Sequence, residues 1–371
     1  MKTVPAPAPG AENPADRIRR LVAPAIRALS AYTVPEHAGV IKLDAMENPH
    51  ALPAALRAQW LARIERTPLN RYPDPGARRL IERFRQAFGV DSRYAVLPGN
   101  GSDELIQLLI LALGGADSTV VAPTPGFVMY EHIARASGRR FVGVPLDRGF
   151  ELDTPAMLAA LREHDPALVF LARPNNPTGN VFDGKAVATI CAAARGLVVL
   201  DEAYHAFSGV DGLGLAARYD NVVVLRTLSK MGLAGLRVGF LIGHPAWLAE
   251  FDKLRLPYNL NALAQSSAEF FLEHKAVFDG QAGRIVGERE RLVQVLAALP
   301  GVQVWPSAAN FLLFRAGSLD GEVVFMELLR RGILIKNLHK PGTPLENCLR
   351  VTVGAENEND AFLRALRDIL A

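Results

Sequence analysis

Two side chains that could act in catalysis stand at or shortly after the ends of short apolar runs. Asp201 ends the run GLVVLD, and Lys230 follows the run NVVVLR in an otherwise apolar, glycine-rich stretch. Burial and the cation of Arg237 would both lower the pKa of the Lys230 amine, which a Schiff-base lysine needs. The Asp201 carboxylate either caps the segment that follows it or pairs with a ring nitrogen of a cofactor, where its charge would favour the protonated ring.

Groups that can bind an anion stand at similar positions. The hydroxyls of Thr227 and Ser229 could hold a phosphate together with the Arg237 guanidinium. The run YAVLP is followed by GNGSDELIQ, where Ser102 is predicted to cap a helix whose first N–H groups face an anion. The segment RPNNPTG (173–179) predicts a rigid turn with outward amides. Taken alone, each of the last two segments also suits a plain turn.

These side chains can act together only if the apolar runs are neighbouring strands. Short valine-rich runs alternate with helical patterns, which is typical of an α/β protein whose mostly parallel sheet is covered on both faces. Because ligands bind beyond the carboxyl ends of such strands, the groups are predicted to meet at one edge. The final run follows a short loop and could be antiparallel. The seven predicted strands are YAVLP (94–98), STVVAP (118–123), RFVGVP (140–145), ALVFLA (167–172), GLVVLD (196–201), NVVVLR (221–226) and RVGFLI (237–242).

The chain of 371 residues is long enough for two domains, and its pattern changes after about Pro257. A charged helical stretch covers roughly Ala262 to Leu299, and short strand candidates and a last helix follow, which suit a smaller α+β domain. The first residues are too few to fold alone and are predicted to complete that domain. The predicted division is a disordered tail (1–14), an N-terminal segment joining the small domain (15–45), a large domain (46–260) and a small domain (261–371).

Composition disfavours several classes of function. The formal net charge is only +3, and the amphipathic stretch that Arg17 opens reads as a solvated helix face rather than an RNA- or membrane-binding arm. Cys191 and Cys348 lie far apart in the sequence, which favours a reduced, cytoplasmic protein. The N-terminus lacks the apolar core of a signal peptide, and no apolar run is long enough to span a bilayer. HExxH and GxSxG patterns are absent, so no metal site is predicted and a hydrolase is disfavoured.

Each motif alone is common, but their combination in this order is typical of a single family of enzymes. They resemble the fold-type I aminotransferases that depend on pyridoxal 5′-phosphate, and more narrowly the histidinol-phosphate aminotransferase branch. The resemblance covers residues 43 to 354. The segments that carry it are LDAMENPH, RYPDPGARRL, GNGSDE, PTPGFVMY, ARPNNPTG, LDEAYHAF, TLSKMGLAGLRVGF, ANFLLF and CLRVTVG.

The resemblance implies a set of residues for pyridoxal 5′-phosphate. Lys230 would form the Schiff base and move the proton, and Asp201 would hold the pyridinium nitrogen. Tyr204 and Asn176 would hydrogen-bond the 3′ oxygen, and Phe127 would stack on the ring. The residues expected around the cofactor phosphate are Ser102, Asp103, Thr227, Ser229 and Arg237, with Tyr72 contributed by the partner subunit of a homodimer.

The resemblance also implies a substrate site. Arg350 would bind the carboxylate of glutamate, and Tyr72 and an N-terminal tyrosine would approach a substrate phosphate. One position departs from the pattern: Lys336 stands where many relatives carry arginine, and a lysine binds phosphate without the bidentate fork. The residues expected at the substrate are Tyr32, Tyr72, Asn176, Lys336 and Arg350.

The implied reaction moves an amino group between L-histidinol phosphate and 2-oxoglutarate, with imidazole acetol phosphate and glutamate as the other pair, in histidine biosynthesis. An aromatic amino-acid aminotransferase and a threonine-phosphate decarboxylase would share the same cofactor site, and both alternatives stay open. An aminotransferase-like transcription regulator is disfavoured, because about 45 residues ahead of the fold leave no room for a helix-turn-helix domain. Neither nucleic acid nor membrane is therefore expected as a partner.

Overall fold

The computed structural model describes residues 13–31, 39–115, 117–317 and 319–371. Its strands are β1 (Ile41–Lys42), β2 (Ala95–Gly99), β3 (Thr119–Thr124), β4 (Arg140–Pro145), β5 (Leu168–Ala172), β6 (Leu197–Asp201), β7 (Val222–Thr227), β8 (Gly239–Gly243), β9 (Val302–Val304), β10 (Phe311–Ala316), β11 (Ile333–Leu334), β12 (Lys336–Asn337) and β13 (Cys348–Thr352). Its helices are α1 (Pro14–Leu21), α2 (Pro24–Arg27), α3 (Ala54–Ile64), α4 (Arg78–Phe88), α5 (Ser102–Ala112), α6 (Val128–Ala136), α7 (Thr154–His164), α8 (Gly184–Ala193), α9 (His205–Ser208), α10 (Leu213–Arg218), α11 (Pro245–Asp252), α12 (Ala262–Glu273), α13 (Lys275–Ala297), α14 (Gly321–Arg330) and α15 (Glu356–Leu370).

All seven strands predicted for the large sheet are present. Their order is β2-β8-β7-β6-β5-β3-β4; β3 to β7 run parallel, and β8 is antiparallel to both of its neighbours. Side chains alternate between two covered faces, so Val198 and Leu200 of β6 pack into one apolar cluster and Leu197 and Val199 into another. The prediction of an α/β fold with a mostly parallel sheet is confirmed.

A smaller antiparallel sheet, in the order β12-β13-β10-β9, follows in the chain and packs with α14 and α15 around a separate apolar cluster. The N-terminal segment packs against the same cluster, because β1 pairs in parallel with β11 in a separate two-stranded sheet and Leu43 is buried in the cluster. None of the helices within the described ranges is both long and apolar enough to cross a membrane.

The charged stretch after Ala262, predicted as one helical run, is broken at His274, where φ is −112° and ψ is 26°. The imidazole Nδ1 of His274 lies 2.9 Å from the Phe270 carbonyl oxygen, and its ring packs on the Phe270 ring. Because of this break, α12 and α13 can pack side chains into different apolar cores. Phe271 of α12 packs with the large sheet, whereas Ile285 of α13 packs with the small one.

Candidate active site

A cavity lies at the carboxyl edge of the large sheet, where β5, β6 and β7 end and α5 begins. Every residue predicted to bind the cofactor lines this cavity except Tyr72, which was predicted to reach the site of the partner subunit. The lining residues are Met46, Ser102, Asp103, Phe127, Tyr130, Ala172, Pro174, Asn176, Asp201, Ala203, Tyr204, Thr227, Ser229, Lys230 and Arg237.

Lys230 enters the cavity from a π-helical turn, Ser229–Leu233, that follows β7. The turn depends on Gly232, whose φ is 120° and where a Cβ atom would lie 2.9 Å from the Asn48 Nδ2 atom. Asn48 donates to the Met231 carbonyl oxygen at 3.1 Å, and the Lys230 amine donates to the Ala45 carbonyl oxygen at 3.3 Å. Ala45 and Asn48 therefore hold the amine and the turn, respectively.

Burial is the main cause that lowers the pKa of the Lys230 amine, to about 8. The cation that lowers it most is Arg350, and Arg237, which the sequence pointed to, has a smaller effect. The sequence alone could not place Arg350 here, because 120 positions separate it from Lys230. A pKa near 8 leaves a minor fraction of the amine neutral at pH 7 and about half of it neutral at pH 8.

The Asp201 carboxylate is buried at the end of β6 and accepts one hydrogen bond on each oxygen. Its Oδ2 atom accepts from the Tyr130 hydroxyl at 2.6 Å, and its Oδ1 atom accepts from the Ala203 N–H at 3.0 Å. Burial raises the pKa of the carboxyl to about 6, while the Tyr130 hydrogen bond opposes that rise. The carboxylate thus faces the cavity and is largely ionised at pH 7.

Three side chains form a continuous hydrogen-bonded chain that starts at the cavity and leads away from it. The Asn176 Nδ2 atom donates to the Tyr204 hydroxyl at 3.1 Å, and its Oδ1 atom accepts from Arg350 Nη1 at 2.6 Å. Arg350 also donates to the Asp44 carbonyl oxygen at 3.1 Å. Burial raises the pKa of Tyr204, so its hydroxyl stays protonated. Asn176 therefore joins the predicted cofactor site to the predicted substrate site.

A cradle suited to an anion lies where α5 starts. Gly101 precedes the helix with a φ of 83°, and a Cβ atom there would lie 2.6 Å from the Arg237 Nη2 atom. Gly101 rather than Ser102 occupies the N-cap position. Arg237 donates to the Asp103 carboxylate at 3.1 Å, so this carboxylate turns toward the guanidinium. The absence of a side chain at Gly101 lets the guanidinium approach the first N–H groups of α5.

Two hydroxyls stand at the same cavity beside Lys230. The Thr227 Oγ1 atom lies 3.0 Å from the Ser229 Oγ atom and accepts from the Ser229 N–H at 3.2 Å. A helix start, a guanidinium and two hydroxyls converge here, which is a donor set for a phosphate group.

A second cavity adjoins the first and shares Phe127, Tyr130 and Asn176 with it. Lys336 and Arg350 both line this second cavity, because they are directly paired across β12 and β13. Its remaining lining combines apolar walls, a third cation and one carboxylate; these residues include Phe141, Leu338, Leu345, Lys340 and Glu131.

Known proteins similar to this chain cover nearly all of it. Residues 38–366 match the family of class I and II aminotransferases. The chain belongs to this family. A histidinol-phosphate aminotransferase 2 of Nitrosococcus oceani is 50% identical over 352 residues, which are 95% of this chain and 98% of that protein. Its counterpart in Bordetella parapertussis is 52% identical over 357 residues, covering 96% and 98%. The histidinol-phosphate aminotransferase of Sinorhizobium meliloti, crystallised in complex with pyridoxal-5′-phosphate, superposes with a TM-score of 0.82 at 25% identity, covering 94% and 96%.

Tyr72, one of the residues predicted for the site of this aminotransferase, does not line either of these two cavities. Tyr72 is 79% exposed and stacks on Tyr258, with ring centroids 4.3 Å apart. Tyr32 falls outside the described residues. His205, which follows Tyr204 in the sequence, also lies outside the cavity and places its Nδ1 atom 2.7 Å from the Val210 carbonyl oxygen, as expected for a packing residue.

Sequence reasoning missed other residues of this aminotransferase's site. Tyr130 lies three positions after Phe127, so both meet the cavity from the first turn of α6. That spacing was visible in the motif PTPGFVMY and could have identified it. Met46 also lines the cavity, but only the observed path of the N-terminal segment brings it there.

Proposed function

We propose that this chain is a pyridoxal-phosphate-dependent transaminase that moves an amino group between L-histidinol phosphate and 2-oxoglutarate, as the names of its relatives indicate. The observation that carries the proposal is the single cavity in which a buried lysine, a buried carboxylate and a phosphate cradle face one another. The other pair in the reaction is imidazole acetol phosphate and glutamate.

The residues of the cavity fit pyridoxal 5′-phosphate. The cradle formed by the start of α5, Arg237 and two hydroxyls suits the phosphate, and Gly101 leaves the room that the guanidinium needs. Asp201 suits the ring nitrogen, and Tyr204 with Asn176 suits the 3′ oxygen. When bound, this cofactor supplies an electron sink for the bond that breaks at the substrate's Cα atom.

The chain's own residues divide the remaining tasks. The Lys230 amine, whose neutral form is easier to reach because burial lowers its pKa to about 8, binds the cofactor and moves a proton at the substrate Cα atom. Asp201 keeps a negative charge where a protonated ring nitrogen needs one. Arg350 binds the anionic end of each substrate and is oriented by Asn176.

The second cavity supports a phosphate-bearing substrate. Lys336, Lys340 and Arg350 place three cations around it, whereas a substrate with a single carboxylate and an aromatic ring needs fewer. Its apolar walls suit a flat ring. The functional test is a side-by-side assay with histidinol phosphate, phenylalanine and phosphothreonine. Faster turnover of phenylalanine would favour the aromatic aminotransferase, and loss of carbon dioxide from phosphothreonine would favour the decarboxylase.

Lys336→Ala should raise the apparent KM for histidinol phosphate by about 10- to 100-fold, or roughly 1.4–2.7 kcal/mol, and disturb glutamate much less. A phosphate needs more positive potential than a carboxylate, and Arg350 serves both. Steady-state kinetics with each donor provide the measurement. Lys253→Ala, which removes an exposed lysine paired with Glu250, is the matched control. An unchanged KM for histidinol phosphate in the Lys336 variant would refute the assignment of this lysine to the phosphate.

We further propose that the active unit is a two-fold homodimer in which Tyr72 reaches the partner's site. Large apolar side chains are exposed next to the stacked pair of Tyr72 and Tyr258 in the sequence: Leu69 is 73% exposed and Leu256 is 72% exposed. Exposed apolar groups of this kind suit a protein interface. A two-fold interface is self-complementary and would complete two equivalent sites.

Mixing the Lys230→Ala and Tyr72→Ala variants should restore activity. After random subunit exchange, half of the dimers are hybrids with one intact site, so about a quarter of wild-type activity is expected. Activity of the mixture, with exchange verified by mass spectrometry, is the measurement. No recovery despite complete exchange would show that Tyr72 acts within its own chain or not at all.

A further inference from the structure

Tyr130 is placed by packing that leaves its hydroxyl little freedom. Its ring stacks on Phe170 of β5, with centroids 4.3 Å apart and planes 6° from parallel, and it meets the Phe127 ring edge-on at 5.4 Å. It is 2% exposed. Its hydroxyl ends 2.6 Å from Asp201 Oδ2, so the ring's position determines the direction of this hydrogen bond.

We propose that Tyr130 is a positioning residue that orients the Asp201 carboxylate toward the ring nitrogen of the bound cofactor. The inference rests on the proposed function, because it assumes that Asp201 faces that nitrogen. Asp201 is held at both oxygens, by Tyr130 from α6 and by the Ala203 N–H. With one donor on each oxygen, rotation of the carboxylate is restricted, and each oxygen retains lone-pair capacity for a donor from the cavity.

The electrostatic role of Tyr130 follows from the groups around the carboxylate. Burial raises the pKa of Asp201, the charge of Asp103 on α5 raises it further, and the hydrogen bond from Tyr130 opposes both effects. Tyr204 and Lys230 face the same cavity from beyond β6 and β7. Burial and the Asp201 charge raise the pKa of Tyr130 well above its usual range, so its hydroxyl remains a donor. Without that hydroxyl, Asp201 would take up a proton at higher pH.

The test measures binding of pyridoxamine 5′-phosphate to the apoprotein, followed by fluorescence from about pH 5 to about pH 8.5, a range that includes the pKa of about 6 of Asp201. This probe has no aldehyde and cannot join Lys230 covalently. Tyr130→Phe keeps the ring stack and should weaken binding about tenfold or more at pH 7, since a hydrogen bond to a charged group is lost. The pH below which binding weakens should rise by about one unit.

Two control variants separate positioning from general packing. Tyr94→Phe removes a buried hydroxyl that bonds the Leu213 carbonyl oxygen at 3.3 Å, away from the cavity, and should bind the probe like wild type. Phe170→Leu disturbs the stack but keeps the Tyr130 hydroxyl, so it should shift the pH profile less than Tyr130→Phe does. An equal loss of binding and an equal pH shift in the Tyr94 variant would show a general effect of removing a buried hydroxyl and would overturn the proposal.

A double-mutant comparison decides whether Tyr130 acts through Asp201. In an Asp201→Asn background the additional change Tyr130→Phe should have little effect on binding or on its pH dependence, because the group it orients is gone. The same loss in both backgrounds would overturn the proposal. If wild type binds no pyridoxamine 5′-phosphate, the proposed function fails as well; if wild type binds and Tyr130→Phe matches it, only this inference fails.

Discussion

Lys230→Ala should lose essentially all turnover and all covalent attachment of pyridoxal phosphate. The buried amine is the group that binds the cofactor and moves the proton at Cα, and its pKa of about 8 suits both tasks. No other lysine lines the cofactor cavity among the residues that the structure describes. Borohydride reduction of the wild-type holoenzyme followed by peptide mapping should find the cofactor on Lys230.

Lys185→Ala, at an exposed position on α8, is the matched control and should be labelled and turn over like wild type. Reduced cofactor found on a different lysine of the wild-type protein would refute the assignment of Lys230 as the cofactor-binding lysine. Persistent labelling of the Lys230 variant at a stoichiometry near one would do the same.

Asp201→Ala should bind the cofactor more weakly and lower turnover by several orders of magnitude. A buried carboxylate with a hydrogen bond on each oxygen is an ordered negative charge, and its loss removes the stabilisation of a protonated ring. A thousandfold loss corresponds to about 4 kcal/mol of barrier. Turnover at saturating cofactor and a cofactor titration together provide the measurement.

Asp183→Ala is the control, because Asp183 caps α8 through the Lys185 and Ala186 N–H groups. That variant should lose about 1 kcal/mol of stability and keep its turnover. An Asp201 variant within about tenfold of wild type, or ~1.4 kcal/mol, would show that Asp201 is a capping residue too.

Much of the cavity could be predicted because its residues follow strands that the sequence marks clearly. Valine-rich runs on both sides of a helical pattern imply parallel neighbours, and parallel neighbours bring Asp201 and Lys230 to one edge. The sequence also allowed β8 to be antiparallel to β7, because only a short loop connects the two strands, and the structure shows this arrangement. These inferences need only local pattern and the geometry of a sheet.

The interactions between distant segments could not be predicted in the same way. Arg350 of β13 affects the pKa of Lys230 more than Arg237 does, and it is held at the site by its hydrogen bond to Asn176, 174 positions away. Tyr130 and Asp201 are 71 positions apart, and only the packing of α6 on the sheet joins them. The helix break at His274 was missed because helical periodicity continues on both sides of it. Tertiary contacts decide each of these features.

The N-terminal segment also sets a distance. The carbonyl oxygens of two successive residues, Asp44 and Ala45, each accept one hydrogen bond, from Arg350 and Lys230 respectively. One peptide unit therefore sets the spacing between the amine that moves a proton and the guanidinium that binds the substrate's anionic end. Because both acceptors are main-chain carbonyl oxygens, a substitution of the Ala45 side chain would leave this spacing unchanged. Inserting or deleting one residue here would misalign the amine and the guanidinium.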